Sequence, residues 1–275
     1  NFGVQDRRSK TAFGLWRALH FAQQKRKFKL IVMFHELTLT FKLKEISLFH
    51  PLHFVAARGL ARMADAVLTN STRFREMLSE LTQSPVACLP NFSTFGEPEQ
   101  IPALPERNRR MLVLGTIYSR PRVYRTRLKE LLTACRTLGI QEIYDIGPPF
   151  NIEVDNAEWG EIDFVPLGVQ PPETIAQLML SSQAGFLDYS SFPGDLGKSA
   201  VFAAYCAHGL LTVSSQYNPS EADGLEMNKH YVVPNESLKK MTLNDLQAIV
   251  ENARQWYETH SLAEHAKFFA SALLS

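Results

Sequence analysis

FLDYSSFPGDLGKSAVFAAYCAHGLLTVS, residues 186–214, is the stretch on which the fold turns. It starts apolar and strand-like, passes through a polar loop with Pro193 and Gly194, continues as a helix of small residues and closes on a second apolar strand, Leu210 to Val213. Strand, loop, helix and strand in that order form the unit of a parallel sheet with crossovers. Asp195, Gly197, Lys198 and Ser199 stand where the helix begins. The first helical N–H groups have no intrahelical partner and the dipole is positive there, so the loop suits an anion. An ordinary strand–loop–helix explains the same spacing.

The composition agrees with a globular chain. At 275 residues, 45% apolar and 21% charged, it has room for two α/β domains and their cores. A net charge of +1 gives no reason to expect a nucleic-acid partner. Cys88, Cys135 and Cys206 lie far apart without metal-ligand spacing, which argues against a disulfide framework or a zinc site and fits a reducing compartment. No apolar run approaches the roughly 18 residues of a spanning helix. The chain opens on Asn1-Phe2-Gly3 instead of a methionine, so a fragment lacking its N-terminal part is expected.

The same rhythm extends outward in both directions. Upstream, helix 9–27 leads to the apolar run Lys29–Phe34, which ends on His35 and Glu36. A helix from Pro51, the strand Ala66–Thr69, a helix capped by Asn70 and Ser71, and the strand Pro85–Leu89 follow. Pro90, Pro98, Pro102 and Pro105 then mark a connection. A second series starts at Met111–Leu114, ends on Gly115-Thr116, and continues through one long helix, Val123–Leu138. The strand Glu142–Ile146 ends on Gly147, and Ile162–Pro166 ends near Gly168. His230–Val233 reads as a short strand, and Thr242–Tyr257 and Leu262–Leu274 as closing helices.

Four phrases of this series resemble the GT-B fold glycosyltransferases that use nucleotide sugars, in particular the large bacterial, mostly retaining group. They are Phe34-His35-Glu36-Leu37, Asp65 to Ser71 (DAVLTNS), Leu89 to Pro98 (LPNFSTFGEP), and Gly197 to Gly209. The likeness covers nearly the whole chain. It implies an α/β chain with two Rossmann-like domains facing a cleft, the first incomplete and without its Gly-rich first loop. The implied division is 1–105 for the acceptor-side domain and hinge, 106–258 for the donor-binding domain, and 259–275 for a helix crossing back to the first. The group's two donor-site glutamates would fall at Ala204 and Leu196 here, and Asp195 is one residue from the second.

The resemblance also assigns roles. Arg120 or Arg122 with Lys198 would grip the diphosphate of the donor, since cationic side chains and helix N-termini stabilise a leaving group's charge without a metal. Gly115, Thr116, Gly147, Gly168, Gly197 and Ser199 would complete the donor site, the glycines by letting base or ribose pass close to the backbone. His35, Glu36 and Asp195 are the candidates for proton traffic or hydroxyl binding. Each has a plainer alternative. The arginines read equally as solvated loop charges, His35 as a satisfied histidine at a strand end, Glu36 and Asp195 as helix-start carboxylates, and the glycines as strand terminators. Asp188 and Tyr189 line the same loop as Asp195, where a carboxylate either bonds sugar hydroxyls or caps the helix, while His208 reads as a packed or capping residue at the helix end and Glu221 and Asp223 as surface charges.

The implied activity is transfer of a sugar from a nucleoside diphosphate sugar to a hydroxyl acceptor, which is a glycan, a lipid-linked compound or a small molecule. It would serve cell-surface polysaccharide or natural-product assembly, with retention as the family expectation and no bound cofactor or metal. A catalytically silent sugar-nucleotide binder and an epimerase of the same fold are the alternatives. The basic clusters Arg7, Arg8, Lys10 and Lys25, Arg26, Lys27, Lys29 read either as solvated helix faces or as a peripheral contact with an anionic membrane. The expected location is cytoplasmic, including the inner membrane face.

Overall fold

The computed structural model describes residues 13–25, 27–37, 40–43, 46–49, 51–152, 156–189, 195–215 and 223–274. The chain forms two compact units, one of Asn1–Pro90 with His265–Ser275 and one of Asn91–Glu264.

The first unit contains α1 (Phe13–Lys25), β1 (Ile31–Phe34), β2 (Thr40–Leu43), β3 (Ile46–Phe49), α2 (Pro51–Met63), β4 (Ala66–Thr69), α3 (Thr72–Ser79) and β5 (Val86–Cys88). Strands β1, β4 and β5 form a parallel sheet in that order. Ala57, Leu60 and Ala61 of α2, with Phe74 and Leu78 of α3, share one core with Val67 of β4. The antiparallel hairpin β2–β3, with Thr40 opposite Phe49, was not expected from the sequence. Its period-two alternation, Phe41, Leu43, Ile46, Leu48, spans too few residues to stand out among the basic positions around it.

The second unit holds β6 (Asn108–Leu114), α4 (Arg120–Thr126), α5 (Leu128–Leu138), β7 (Glu142–Ile146), α6 (Asn156–Trp159), β8 (Asp163–Gly168), α7 (Pro172–Ser181), β9 (Ser182–Leu187), α8 (Ala200–Ala207), β10 (Leu211–Ser214), α9 (Leu243–Glu258) and the start of α10 (Leu262–Leu274). Its five strands are parallel, in the order β8-β7-β6-β9-β10. The expected strand at His230–Val233 is reduced to single bridges, Val232 beside Val213 and Tyr231 beside Met227. Helix α8 is apolar all round and buried, with Tyr205 lying on Gly185 of β9; a Cβ at Gly185 would stand 2.4 Å from the tyrosine ring. That absence of a side chain lets helix and strand approach, and the Tyr205 hydroxyl donates to the Leu112 carbonyl at 3.2 Å.

Two expectations differ from the structure in ways that bear on the site. The units divide after Pro90 and after Glu264, where the sequence suggested residues 105 and 258. Segment 91–105 is fastened to the second unit along its length. Asn91 N–H donates to Gly197 O (3.0 Å), Ser93 N–H to the Tyr257 hydroxyl (2.9 Å), Arg254 to Pro98 O (3.1 Å), and Leu104 N–H to Gln247 (2.9 Å). The second difference is the long helix 123–138. It is two helices, α4 and α5, broken at Arg127, whose φ of −129° and ψ of 14° leave the helical region.

Candidate functional site

Strand order reverses between β6 and β9. In open parallel sheets, ligands bind outside the carboxyl ends of the strands at such a reversal. Three predicted glycines come together along this edge. Gly115 N–H donates to Ile146 O at 3.3 Å and Gly147 N–H to Gly168 O at 2.9 Å, so the ladder continues one residue past β6 and β7 to the end of β8. Gly147 has a φ of 144°, and a Cβ there would lie 2.4 Å from the Gly115 carbonyl, so no other residue fits without moving backbone. Next to this row is a cavity of about 510 Å³ lined by Asp145, Gly147, Phe150, Phe164, Pro166 and Gly168, among others. Its aromatic wall is tightly organised: the Phe150 and Phe164 rings lie 5.7 and 5.5 Å from Tyr124, and Trp159 lies 5.3 Å from Phe164. Thr116 sits at the head of the β6–α4 turn, its N–H donating to Ser119 Oγ at 3.0 Å and its hydroxyl accepting from Tyr118 N–H at 3.2 Å.

The two predicted arginines have different fates. Arg120 is 1% exposed and is not a loop charge. Its guanidinium pairs with Asp145, donates to Pro148 O and stacks 4.9 Å from the Phe150 ring. Tyr124 donates to the other Asp145 oxygen at 2.9 Å. Burial pushes the Asp145 carboxyl up and the Tyr124 hydroxyl well up, with Arg120 opposing both shifts. Arg120 therefore holds up the floor of the cavity from below, and its charge is spent on Asp145.

Arg122 has a side chain that is 41% exposed. Its Nε lies 2.5 Å from Oδ2 of Asp188, and its Nη2 donates to the Asp188 carbonyl at 2.9 Å. Asp188 follows the last residue of β9 directly, and its side chain is 1% exposed. Arg127 Nε stands 3.5 Å from Oδ1, which also accepts from the Ser215 hydroxyl beyond β10.

The opening loop divides its residues by task. Leu196–Lys198 form one 3-10 turn, closed by Lys198 N–H to Asp195 O at 3.0 Å. Asn91 clasps that turn through the Gly197 and Lys198 carbonyls. Ser199 caps α8, its Oγ accepting from Phe202 N–H at 3.1 Å, which satisfies one of the orphan helix donors. Asp195 and Gly197 are buried, and Lys198 is half-buried. Ala204 is fully buried inside α8 and Leu196 half-buried, so the two positions where carboxylates were expected carry apolar side chains. His208 ends the helix with Nδ1–H donating to Ala204 O at 2.9 Å, and burial pushes its pKa down.

In the first unit, His35 and Glu36 are exposed at the carboxyl end of β1. Asn70, at the end of β4, places its amide 3.2 Å from His35 Nδ1, and Thr69 Oγ1 donates to Phe34 O at 2.7 Å. Ser71 occupies the N-cap position of α3 without a side-chain cap bond. Residues 190–194, Glu221, Arg7, Arg8, Lys10 and Arg26 lie outside the described residues. Asp223 accepts through its carbonyl from Trp256 Nε1 at 3.1 Å.

Sequence reading missed Asp145 and Arg127, and it placed Asn91 in a hinge and not at the loop. Asp145 had a signal. A carboxylate alternating with Ile143 on one face of a strand must find a cation or lose its charge.

No family model and no curated protein sequence matches the chain. Solved structures do. The chain is similar to the pneumococcal O-GlcNAc transferase GtfA, crystallised with UDP and GlcNAc, at a TM-score of 0.57 and 12% identity over 89% of this chain. It is similar to Anabaena HepE in complex with UDP and glucose at 0.58 and 13% over 95%, and to a UDP-forming α,α-trehalose-phosphate synthase from Burkholderia xenovorans at 0.59 and 16% over 96%. It spans about half of the GtfA chain (52%), and 76% and 71% of the other two. Among the described residues no helix is long and apolar enough to cross a membrane. Fold, strand order and neighbours agree that this protein has the GT-B fold of nucleotide-sugar glycosyltransferases.

Proposed function

We propose that the chain binds a nucleoside diphosphate sugar at the carboxyl edge of the second unit's sheet and transfers the sugar to a hydroxyl acceptor. The observation that carries this reading is the glycine-lined cavity at the ends of β7 and β8, with Arg122 at the β6–β9 reversal and the Asn91-clasped loop after β9 on the carboxyl side of the same sheet. An aromatic and proline-lined wall with backbone groups at its rim suits a flat base and ribose. Partly exposed cations suit the diphosphate, whose charge grows as the sugar departs. Uridine is the base to test first, because GtfA and HepE were crystallised with UDP. His35, its ring steadied by Asn70, and Glu36 belong to the acceptor side, where an imidazole can exchange a proton with a hydroxyl near neutral pH. Retention at the anomeric carbon and a polysaccharide or natural-product acceptor are part of this reading, as is a peripheral seat on a membrane.

A second reading rests on Ala204 and Leu196, which offer no carboxylate to the donor. On that reading the protein binds a sugar nucleotide without turning it over. Calorimetric titration of the chain with UDP, GDP and ADP, followed by a donor-hydrolysis assay on UDP-glucose and UDP-GlcNAc, separates the two. Binding with release of UDP supports the transferase, and binding without release supports the silent form. Absence of binding by all three nucleotides contradicts both.

A further inference from the structure

We propose that Asp188 is a positioning residue: its buried carboxylate holds Arg122 and Arg127 together at the switch between β6 and β9, so that Arg122, and not Arg120, meets the donor's diphosphate. The proposal rests on the donor reading above. Its own support is the way the chain is bent to make the cluster.

Residues 122 and 127 are five apart, so on one continuous helix they would point about 140° away from each other. The break at Arg127 removes that constraint, and both guanidinium groups reach the same carboxylate, Nε of Arg122 at 2.5 Å and Nε of Arg127 at 3.5 Å. The sequence around the break, YRTRLKEL, has no glycine or proline to cause it. The ion pair with Asp188 supplies a reason for the helix to end where it does. Ser215 fixes the carboxylate from the β10 side, so Asp188 is held from three directions: α4, the α4–α5 junction, and the end of β10.

Arg127 is also paired with Glu130 through Nη1 at 3.2 Å, so Asp188 and Glu130 together engage Arg127 while Arg122 has Asp188, and the cluster sits where the strand order reverses. Arg122 Nε stands at ion-pair distance from the Asp188 carboxylate and one Nη2 hydrogen goes to the Asp188 backbone carbonyl, while Nη1 and the other Nη2 hydrogen remain as donors on a side chain that is 41% exposed. A guanidinium held on one edge and open on the other is ready to receive a phosphate without first losing side-chain freedom. Arg120 lacks this opening, being 1% exposed and committed to Asp145 and Pro148.

The test compares UDP with uridine by calorimetry on the full chain, because the proposal concerns the phosphates alone. Asp188→Asn and Arg122→Gln should each weaken UDP binding by about tenfold or more, the scale of one charge-assisted hydrogen bond, and leave uridine unchanged. The double variant should be no weaker than the weaker single one, since both changes remove one interaction. Ser215→Ala, which only loosens the carboxylate, should give a smaller loss for UDP and none for uridine, and it serves if Asp188→Asn does not fold. The proposal is overturned if Asp188→Asn, or Ser215→Ala in its place, binds UDP as tightly as the parent or more tightly, because Asp188 is then only a counter-ion. Equal losses for UDP and uridine also overturn it. A parent chain that binds uridine and UDP equally overturns the proposal and leaves the donor reading standing; one that binds neither overturns both.

Discussion

Two arginine–aspartate pairs, two residues apart in sequence at their arginines, serve different ends. Arg120–Asp145 lies within the core under β7, with Tyr124 and Phe150 packed around it. Arg122–Asp188 lies at the sheet's carboxyl edge, its carboxylate buried and its arginine partly in solvent. The charges are the same, and burial of the cation separates the roles. A buried cation bound through its two Nη groups to a carboxylate and a carbonyl holds the structure up. A cation held by a buried carboxylate but open on one side can still meet a ligand.

Breaking the first pair should have the largest effect on folding. Arg120→Ala leaves Asp145 buried and unpaired and should cost about 3–5 kcal/mol, seen as a large drop in urea midpoint. Gly147→Ala should follow at about 3 kcal/mol, since a Cβ 2.4 Å from the Gly115 carbonyl forces backbone to move at a positive φ. Arg122→Gln should cost less than about 1 kcal/mol in the same measurement, as expected for a partly exposed ion pair, while weakening UDP binding. A stability loss at Arg122 equal to that at Arg120 would erase the distinction between the pairs.

The smallest expected effect is on pH. Burial lowers the pKa of His208 from its usual 6.5, with Arg107 and Arg254 adding repulsion, while its bonds to the Ala204 and Phe95 backbone work the other way. The unfolded chain then binds the proton more readily. The stability from neutral His208 is complete above pH 6.5 and is lost as the pH falls through the lower, folded value. Thermal melts should therefore shift down between pH 7.5 and 5.5, and His208→Gln, which keeps a donor for Ala204 O, should flatten that shift.

Much of the frame was legible in the chain. Parallel strands showed as short apolar runs, and glycines at their ends marked the edge where Gly115, Gly147 and Gly168 meet. What escaped was set by contacts distant in sequence. Nothing in RTRLKELL signals a break at Arg127, because its partner Asp188 lies at the end of a strand far along the chain. The Pro-rich phrase after Pro90 looked like a linker, although Asn91, Ser93 and Leu104 tie it to the second unit. Arg120 read as a diphosphate contact or, more plainly, a solvated loop charge, because the carboxylate that buries it sits inside a strand. Ser199 read as part of an anion loop, and its hydroxyl caps α8.

The central claim, a nucleoside diphosphate at the carboxyl edge of the second unit, is tested most directly by hydrogen–deuterium exchange of the whole chain with and without UDP. The account predicts slower exchange at residues 115–119, 147–152, 168–170 and 195–199, and no change across β1 to β5. Unchanged exchange at the four loops, with UDP present in saturating excess, would contradict it.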